Sequence, residues 1–184
     1  MHRESPPELA PNEVGSWRAS VFSPELAAQL WQALPCALKA ARELDALSHT
    51  DWSGHARWQP FGVSPLLRLI RYAPGGCLVP HYDAPYVEDA RARTLQSLVI
   101  YLTGAGLPEE GGMTRFLRDP QAALPFDARC FADHEACASP EDVLLAVAPL
   151  AGNALVFDHR LLHDASAAHQ EKVILRTDIL FRKA

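Results

Sequence analysis

The chain has 184 residues, of which 48% are hydrophobic and 21% are charged, and its formal net charge is −5. These values fit one globular domain with room for a core of useful size. The sequence contains no dense run of lysine or arginine, so no nucleic-acid partner is expected. It also contains no apolar stretch near the roughly 20 residues of a membrane span, so no membrane partner is expected.

The cysteines and the N-terminus predict a cellular location. Cys36, Cys77, Cys130 and Cys137 show no tight disulfide spacing. The first residues are polar and rich in proline, unlike an export signal. We therefore expect a cytoplasmic protein with reduced thiols.

The first predicted element is a helix. Ser23, Pro24 and Glu25 supply a cap, a proline for the first turn and an acid for the positive end of the helix dipole. Pro35 should break or kink this helix, because proline lacks the amide hydrogen and clashes with the preceding turn. A second helical run is predicted for residues 36–48.

Beyond residue 51, glycine and proline become frequent and the apolar runs become short. Five of these runs predict strands, and a sixth candidate lies before the first helix. The six runs are residues 17–22, 66–72, 95–102, 143–147, 154–157 and 173–181. Helices followed by strands without helical crossovers predict a mainly β antiparallel barrel or sandwich, with the helices packed outside. Residues 119–142 form a longer insertion.

A His-x-Asp pair follows the strand predicted at 66–72. His81 and Asp83 are two residues apart, so on a strand they share one face. The Pro-Gly-Gly sequence before them, at 74–76, predicts a turn that reverses the chain. On the pattern alone, the pair is either half of a metal site or two polar residues at a strand end.

A metal site needs at least one more ligand, and two histidines after the run at 154–157 are candidates. These are His159 and His163. Two histidines and one carboxylate on one face of an octahedron leave three positions open. That arrangement suits Fe(II) that binds a bidentate cosubstrate and O2.

The last predicted strand alternates in a way that suggests an anion partner. Lys172, Ile174, Arg176 and Asp178 occupy every second position and therefore share one face. A buried arginine needs an anion, and a bidentate carboxylate contact would supply one. The alternative is that this face is exposed to solvent on an edge strand.

Four segments carry a resemblance to a known family, in that family's order. They are LLRLIRYAPGGCLVPHYD, TLQSLVIYLTG, EGGMTRF and AGNALVFDHRLLHDASAAHQEKVILRTDILF. The chain resembles the Fe(II)- and 2-oxoglutarate-dependent dioxygenases, specifically their prolyl 4-hydroxylase-like branch. The resemblance implies a double-stranded β-helix, which is a jelly-roll or cupin-like barrel. It predicts a single domain over 1–184, with a lead-in and supporting helices at 1–63 and the core, which contains the insertion, at 64–182.

Carried over by position, the resemblance implies that His81, Asp83 and His163 are the iron ligands. The family motif favours the later histidine, so His159 is interpreted as a neighbour of the site. Halogenating members of the superfamily lack the carboxylate ligand. Because Asp83 is present here, hydroxylation is the expected reaction.

The resemblance also implies a site for 2-oxoglutarate. Tyr101 matches a tyrosine that supports the far carboxylate of the cosubstrate, and Tyr72 matches another tyrosine close to it. The basic partner of that carboxylate is either Lys172, where the prolyl hydroxylase pattern has its cation, or Arg176. The sequence favours Arg176, which lies deeper in the apolar strand.

The implied activity is hydroxylation that consumes 2-oxoglutarate and O2 at Fe(II) and releases succinate and CO2, with ascorbate as a stimulant. The implied substrate is a peptidyl proline, another side chain or a small molecule, and the sequence does not choose among them or set the oligomeric state. Two alternatives keep the barrel. One is a cupin-like metalloenzyme that does not use 2-oxoglutarate, and the other is a non-catalytic metal-binding sensor.

The insertion contains one further pattern, C-x3-H-x2-C, formed by Cys130, His134 and Cys137. It could be part of a zinc or redox site, although a fourth ligand is not evident. The alternative is a mobile loop that acts as a lid over the iron.

Overall fold

The computed structural model describes residues 13–39, 58–124, 128–130 and 138–183. Within these residues the chain forms nine strands, two α-helices and two short 3-10 turns. The strands are β1 (Glu13–Phe22), β2 (Trp58–Val63), β3 (Leu66–His81), β4 (Ala92–Tyr101), β5 (Thr114–Leu117), β6 (Val143–Val147), β7 (Ala154–Asp158), β8 (His163–Ala165) and β9 (Lys172–Lys183). The helices are α1 (Pro24–Ala33) and α2 (Cys36–Lys39), and the 3-10 turns are Pro108–Glu110 and Pro140–Asp142.

The strands form one curled antiparallel sheet. Its order is β6-β5-β8-β3-β9-β4-β7, and β1 and β2 pair with β3 and β9 respectively. The predicted mainly β jelly-roll with helices outside is therefore confirmed. The inner face carries a cluster of buried apolar and aromatic side chains. These are Ile70, Tyr72, Val99, Tyr101, Phe157, Ala168 and Ile174.

The N-terminal helix begins where the sequence predicts. The Ser23 hydroxyl accepts a hydrogen bond from the Leu26 amide at 3.2 Å, and Pro24 occupies the first turn. The helix ends at Ala33 before Pro35, and α2 begins at the next residue. Most of the second helical run predicted at 36–48 lies outside the described residues. No helix in the described ranges is both long and apolar enough to cross a membrane.

Helix α1 covers the outer face of the sheet. Ala27 and Leu34 are buried in a second cluster with Trp58, Leu98 and Phe181. This cluster lies on the opposite side of the sheet from the inner one, since Leu98 and Val99 are neighbours on β4 and point to opposite faces. The helix therefore supports the sheet from behind and leaves the inner face free.

The Pro-Gly-Gly sequence does not reverse the chain, and that prediction is wrong. Strand β3 continues through it to His81. Tyr72 pairs with Ser16 of β1 and Cys77 pairs with Val14, so residues 73–76 bulge opposite a single residue. Gly75 has a φ of 84°, a conformation that glycine adopts without strain. The bulge bends β3, which pairs with β9 before it and with β8 after it.

Candidate active site

The bend in β3 brings two histidines face to face. His81 at the end of β3 is paired directly with His163 at the start of β8, and their ring centroids are 4.2 Å apart. Asp83 lies two residues beyond β3, where its backbone amide donates to the His159 carbonyl at 3.2 Å. The ligand atoms of His81, Asp83 and His163 all lie within 4.8 Å of one another.

Backbone carbonyls orient both imidazoles. The Nδ1 atom of His81 lies 2.8 Å from the Val79 carbonyl, and that of His163 lies 2.9 Å from the Leu161 carbonyl. A carbonyl only accepts, so each Nδ1 donates its hydrogen, and Nε2 is the ring nitrogen left to bind a metal. The two Nε2 atoms lie 3.6 Å from Asp83, one from each oxygen. Burial lowers the pKa of His163 to about 3, so this ring is neutral at pH 7.

Asp83 is held as a carboxylate. The Ser97 hydroxyl donates to its Oδ2 atom, and Nη2 of Arg176 lies 2.6 Å from its Oδ1 atom. Burial by itself raises the pKa of the Asp83 carboxyl, yet the opposite charge of Arg176 helps to hold that pKa well below its usual range. The site therefore offers two imidazole nitrogens and one anionic oxygen.

This donor set fits Fe(II). Two imidazoles and one carboxylate with open positions are the ligands of non-haem iron sites that activate O2. In the described part of the chain, no other group of three histidine, cysteine, aspartate or glutamate residues comes equally close. Of the C-x3-H-x2-C pattern, Cys130 is exposed, whereas His134 and Cys137 lie outside the described ranges.

His159 takes a different position from the three ligands. Its Nε2 atom lies 3.3 Å from Asp178 Oδ1, and its ring is almost fully buried. Its backbone carbonyl holds the Asp83 amide, as described above. The structure thus places His159 behind the metal-binding group, where it supports Asp83 through the backbone.

Lys172 and Tyr72 lie together in the same cavity as the three ligands. The two residues are directly paired on β9 and β3, and Lys172 Nζ lies 4.3 Å from the Tyr72 ring centroid. The Lys172 ammonium also donates to the Gly112 carbonyl at 2.8 Å, and the residue is only 4% exposed. Burial lowers the pKa of Lys172 to about 8, although the nearby charge of Asp164 opposes this effect.

Tyr101 lies on the same inner face of the sheet as Lys172. It lies on β4 opposite Ile174, one step along the inner face from Lys172. Its hydroxyl donates to Thr114 Oγ1 at 2.8 Å, and burial raises its pKa, so it stays a neutral phenol. Tyr72, Thr114 and Lys172 line one cavity together with the three ligands. Of the residues predicted to contact 2-oxoglutarate, Tyr72 thus lies beside Lys172, and Tyr101 is hydrogen-bonded to Thr114 of the same cavity.

The two basic residues left open by the sequence lie at opposite ends of this cavity. Lys172 and Arg176 share one face of β9 and are four residues apart, which is about 13 Å along an extended strand. Ile174 lies between them, and it is paired with Ile70 of β3. The Arg176 end adjoins Asp83, whereas the Lys172 end adjoins Tyr72.

Several residues of the site were not singled out in the sequence. Ser97 holds Asp83, Thr114 holds Tyr101, and Arg115 forms two hydrogen bonds to Asp164 beside His163, at 2.8 and 2.5 Å. Ser97 and Thr114 are fully or largely buried within apolar strands. The sequence feature that could have identified them is a polar residue on the inward face of an apolar strand.

Comparison with protein families gives one match. The family model described as the 2OG-Fe(II) oxygenase superfamily matches residues 67–177, which is more than half of the chain. The match includes all three candidate ligands together with Lys172 and Arg176. No curated protein sequence matches the chain significantly.

Solved structures with a similar fold include two prolyl hydroxylases. A Pseudomonas putida prolyl-4-hydroxylase superposes with a TM-score of 0.51 at 21% identity, over 97% of this chain and 77% of that chain. A Trichoplax adhaerens prolyl hydroxylase, in complex with a hypoxia inducible factor oxygen degradation domain peptide fragment, has a TM-score of 0.53 at 15% identity. That match covers 96% of this chain and 70% of the other. At these identities the likeness shows a shared fold.

Proposed function

The chain belongs to the 2OG-Fe(II) oxygenase superfamily, and from that premise we propose how its residues divide the work of a hydroxylase. The family implies Fe(II), 2-oxoglutarate and O2. When bound, they supply the oxidation of a substrate C–H bond to an alcohol, coupled to conversion of 2-oxoglutarate into succinate and CO2. The superfamily match favours this enzyme over a cupin-like metalloenzyme without 2-oxoglutarate and over a sensor.

His81, Asp83 and His163 hold the iron in this proposal. The observation that carries it is the convergence of their ligand atoms within 4.8 Å, with both Nδ1 atoms engaged by carbonyls. A hydrogen bond from the ring nitrogen that does not bind the metal fixes the orientation and the tautomer of a ligating imidazole. Ser97 does the same for Asp83 by donating to Oδ2.

Lys172, rather than Arg176, binds the far carboxylate of 2-oxoglutarate in this proposal, which reverses the preference drawn from the sequence. Two features support Lys172. It is buried at the end of the cavity that holds Tyr72, and among the described residues its ammonium forms no ion pair and donates to the Gly112 carbonyl. Arg176 already lies 2.6 Å from Asp83, at the metal end.

The remaining cavity residues position the cosubstrate and exclude water. Thr114 lines the cavity with Lys172 and accepts a hydrogen bond from Tyr101, so in this proposal its own hydroxyl hydrogen donates to a carboxylate held at Lys172. Ile70 and Ile174 form an apolar wall between the two ends. An apolar wall strengthens the charge contacts at either end, because it keeps water out.

We also place the protein in the prolyl 4-hydroxylase-like branch, on the strength of the four sequence segments in their order. Its substrate is then a peptide or a small molecule, handled by one domain that spans 1–184. A cytoplasmic location agrees with the cysteines of the described residues, since Cys36, Cys77 and Cys130 form no disulfide.

Anaerobic spectroscopy tests the proposed function. Addition of Fe(II) and 2-oxoglutarate to the protein should produce a weak visible charge-transfer band, and addition of O2 and ascorbate should then yield succinate. Asp83→Ala should lose both signals. His169→Gln is the matched control, because His169 is exposed and outside the group of ligands. A full band in Asp83→Ala would refute the ligand assignment.

A further inference from the structure

Two consecutive glycines, Gly111 and Gly112, form the turn that contacts Lys172. They lie between the 3-10 turn Pro108–Glu110 and strand β5. Both have a φ of 63°, in the left-handed region that glycine adopts without strain. The carbonyl of Gly112 accepts the 2.8 Å hydrogen bond from the Lys172 ammonium. The turn therefore touches the residue to which the far carboxylate of 2-oxoglutarate is assigned above.

The lysine stem fills the space that a side chain at position 112 would need. A β-carbon added to Gly112 would lie 3.0 Å from Cδ of Lys172 and 3.4 Å from the β-carbon of Ala168. Carbon atoms in favourable contact are about 3.5–4.0 Å apart. Gly112 therefore places the lysine in two ways, since its missing side chain makes room for the stem and its carbonyl holds the ammonium.

Backbone hydrogen bonds keep the glycine turn in place. The Gly112 amide donates to the Ala167 carbonyl at 2.9 Å, in the loop that follows β8. That loop is bonded in turn to the bulge of β3. The Ala168 amide donates to the Gly76 carbonyl at 2.9 Å, and the Gly75 amide donates to the Ala168 carbonyl at 2.6 Å. The turn is thus fixed to a long strand of the sheet, and it would break these bonds if it moved away from an added β-carbon.

Tyr72 supplies a second surface against the lysine. Lys172 Nζ lies 4.3 Å from the centroid of the Tyr72 ring, and the two residues are paired on β9 and β3. The Tyr72 side chain is fully buried in the inner cluster, where close packing resists displacement. A lysine stem is long and flexible, so these contacts are what hold its charge in one place.

We infer that Gly112 is a positioning residue for the cosubstrate: it sets the place of the Lys172 ammonium, and thereby the length of the 2-oxo diacid that the site accepts. The inference rests on the proposed function and adds a determinant of cosubstrate length to it. In that function one end of the diacid is held at the metal and the far carboxylate at Lys172. Because both ends are then fixed, the distance between them selects the chain length.

Anaerobic binding of two diacids tests this inference without a known substrate. The Fe(II)-loaded protein is titrated with 2-oxoglutarate and, in parallel, with 2-oxoadipate, which is longer by a methylene group; the visible band reports each dissociation constant. Gly112→Ala should raise the constant for 2-oxoglutarate by about 10-fold, because overpacking displaces the lysine stem. The preference for 2-oxoglutarate over 2-oxoadipate should fall by about threefold or more, since a displaced cation selects length less strictly. An unchanged preference would overturn the inference.

Gly152→Ala is the matched control for backbone strain. Gly152 has a φ of 89° in the exposed turn between β6 and β7, and a β-carbon added there meets nothing within 4 Å. This variant should lose stability in urea but bind both diacids as the wild type does. Gly112→Asn serves if Gly112→Ala does not fold, because it carries the same β-carbon and asparagine adopts a positive φ more readily. Diacid affinities in the Gly112 variants that equal those of Gly152→Ala would contradict the inference.

A double variant shows whether Gly112 acts through the lysine. Lys172→Met removes the ammonium, so the further change Gly112→Ala should then weaken 2-oxoglutarate binding little more. Independent effects would instead add, and additive losses would overturn the inference alone. Wild-type binding of 2-oxoglutarate by Lys172→Met would contradict the assignment of the far carboxylate to Lys172, and the inference with it.

Discussion

Replacement of Lys172 by methionine should weaken 2-oxoglutarate binding while it stabilises the ligand-free protein. Methionine has a similar length and no charge, so it fills the space between Tyr72 and Gly112 without an ammonium. In the proposed complex this ammonium is the buried cation that faces the far carboxylate. Loss of one partner of a buried charge pair costs about 2–5 kcal/mol. The dissociation constant for 2-oxoglutarate should therefore rise by roughly 100-fold, at about 1.4 kcal/mol per tenfold change.

The stability change follows from the pKa of Lys172. Burial lowers this pKa from 10.5 to about 8, so keeping the amine charged in the fold costs about 3 kcal/mol at pH 7. The hydrogen bond to the Gly112 carbonyl offsets about 1.5 kcal/mol of that cost. The ligand-free Lys172→Met protein should thus be more stable than the wild type by about 1–2 kcal/mol at pH 7.

Two assays check these values. Anaerobic titration of the Fe(II)-loaded protein with 2-oxoglutarate, followed by the visible band, gives the dissociation constant. Urea unfolding of the ligand-free protein gives the stability. Arg176→Met, measured at saturating Fe(II), is the comparison, and it should bind 2-oxoglutarate within a few-fold of the wild type. A large loss of affinity in Arg176→Met, with little change in Lys172→Met, would refute the assignment and restore the preference drawn from the sequence.

Two further predictions concern the same site, and a third concerns the insertion at 119–142. The stability advantage of Lys172→Met should be greatest below pH 8, where the folded protein bears the full cost of the charge. It should vanish as the pH rises from 8 towards 10.5, where the unfolded chain also loses the proton; urea unfolding at several pH values measures this, and a constant advantage would contradict it. Ser97→Ala should weaken Fe(II) affinity by about 10–100-fold, because the Asp83 ligand loses its hydroxyl donor; an unchanged Fe(II) titration would refute that role. Tyr82→Phe removes the 2.7 Å hydrogen bond to Asp119 and should cost about 1 kcal/mol. It should also increase protease cleavage within residues 119–142, and identical cleavage would show that this bond does not hold the insertion.

The sequence predicts the metal-binding residues better than it predicts the path that joins them. His81 and Asp83 are two apart and close to a strand end, so period-two alternation places them on one face. The bend that brings His81 opposite His163 depends on a bulge against Gly15 of β1. A Pro-Gly-Gly sequence is compatible with a turn or with a bulge, and only the pairing with β1 decides between them.

Most of the strands that the sequence does not predict are short. Strands β5 and β8 contain four and three residues, too few for an alternating pattern to be distinguished from a loop. Strand β2 contains Pro60 and Gly62. Proline and glycine argue against a central strand when a strand is predicted from sequence. Pairing with β9 nevertheless makes it part of the sheet.

The choice between Lys172 and Arg176 shows a limit of a different kind. Alternation places both side chains on the inner face of β9, but it does not show which end of that face meets the metal. That information comes from the register with β3, which pairs Lys172 with Tyr72. The pairing of Arg68 with Arg176 is likewise visible only from this register.

The most direct test of the account is a structure of the anaerobic protein with Fe(II) and 2-oxoglutarate bound. The account predicts that His81, Asp83 and His163 coordinate the metal. It also predicts that the far carboxylate lies within hydrogen-bond distance of Lys172 Nζ, below about 3.2 Å, while Arg176 stays beside Asp83. A far carboxylate bound by Arg176, or a metal that lacks Asp83 as a ligand, would contradict it.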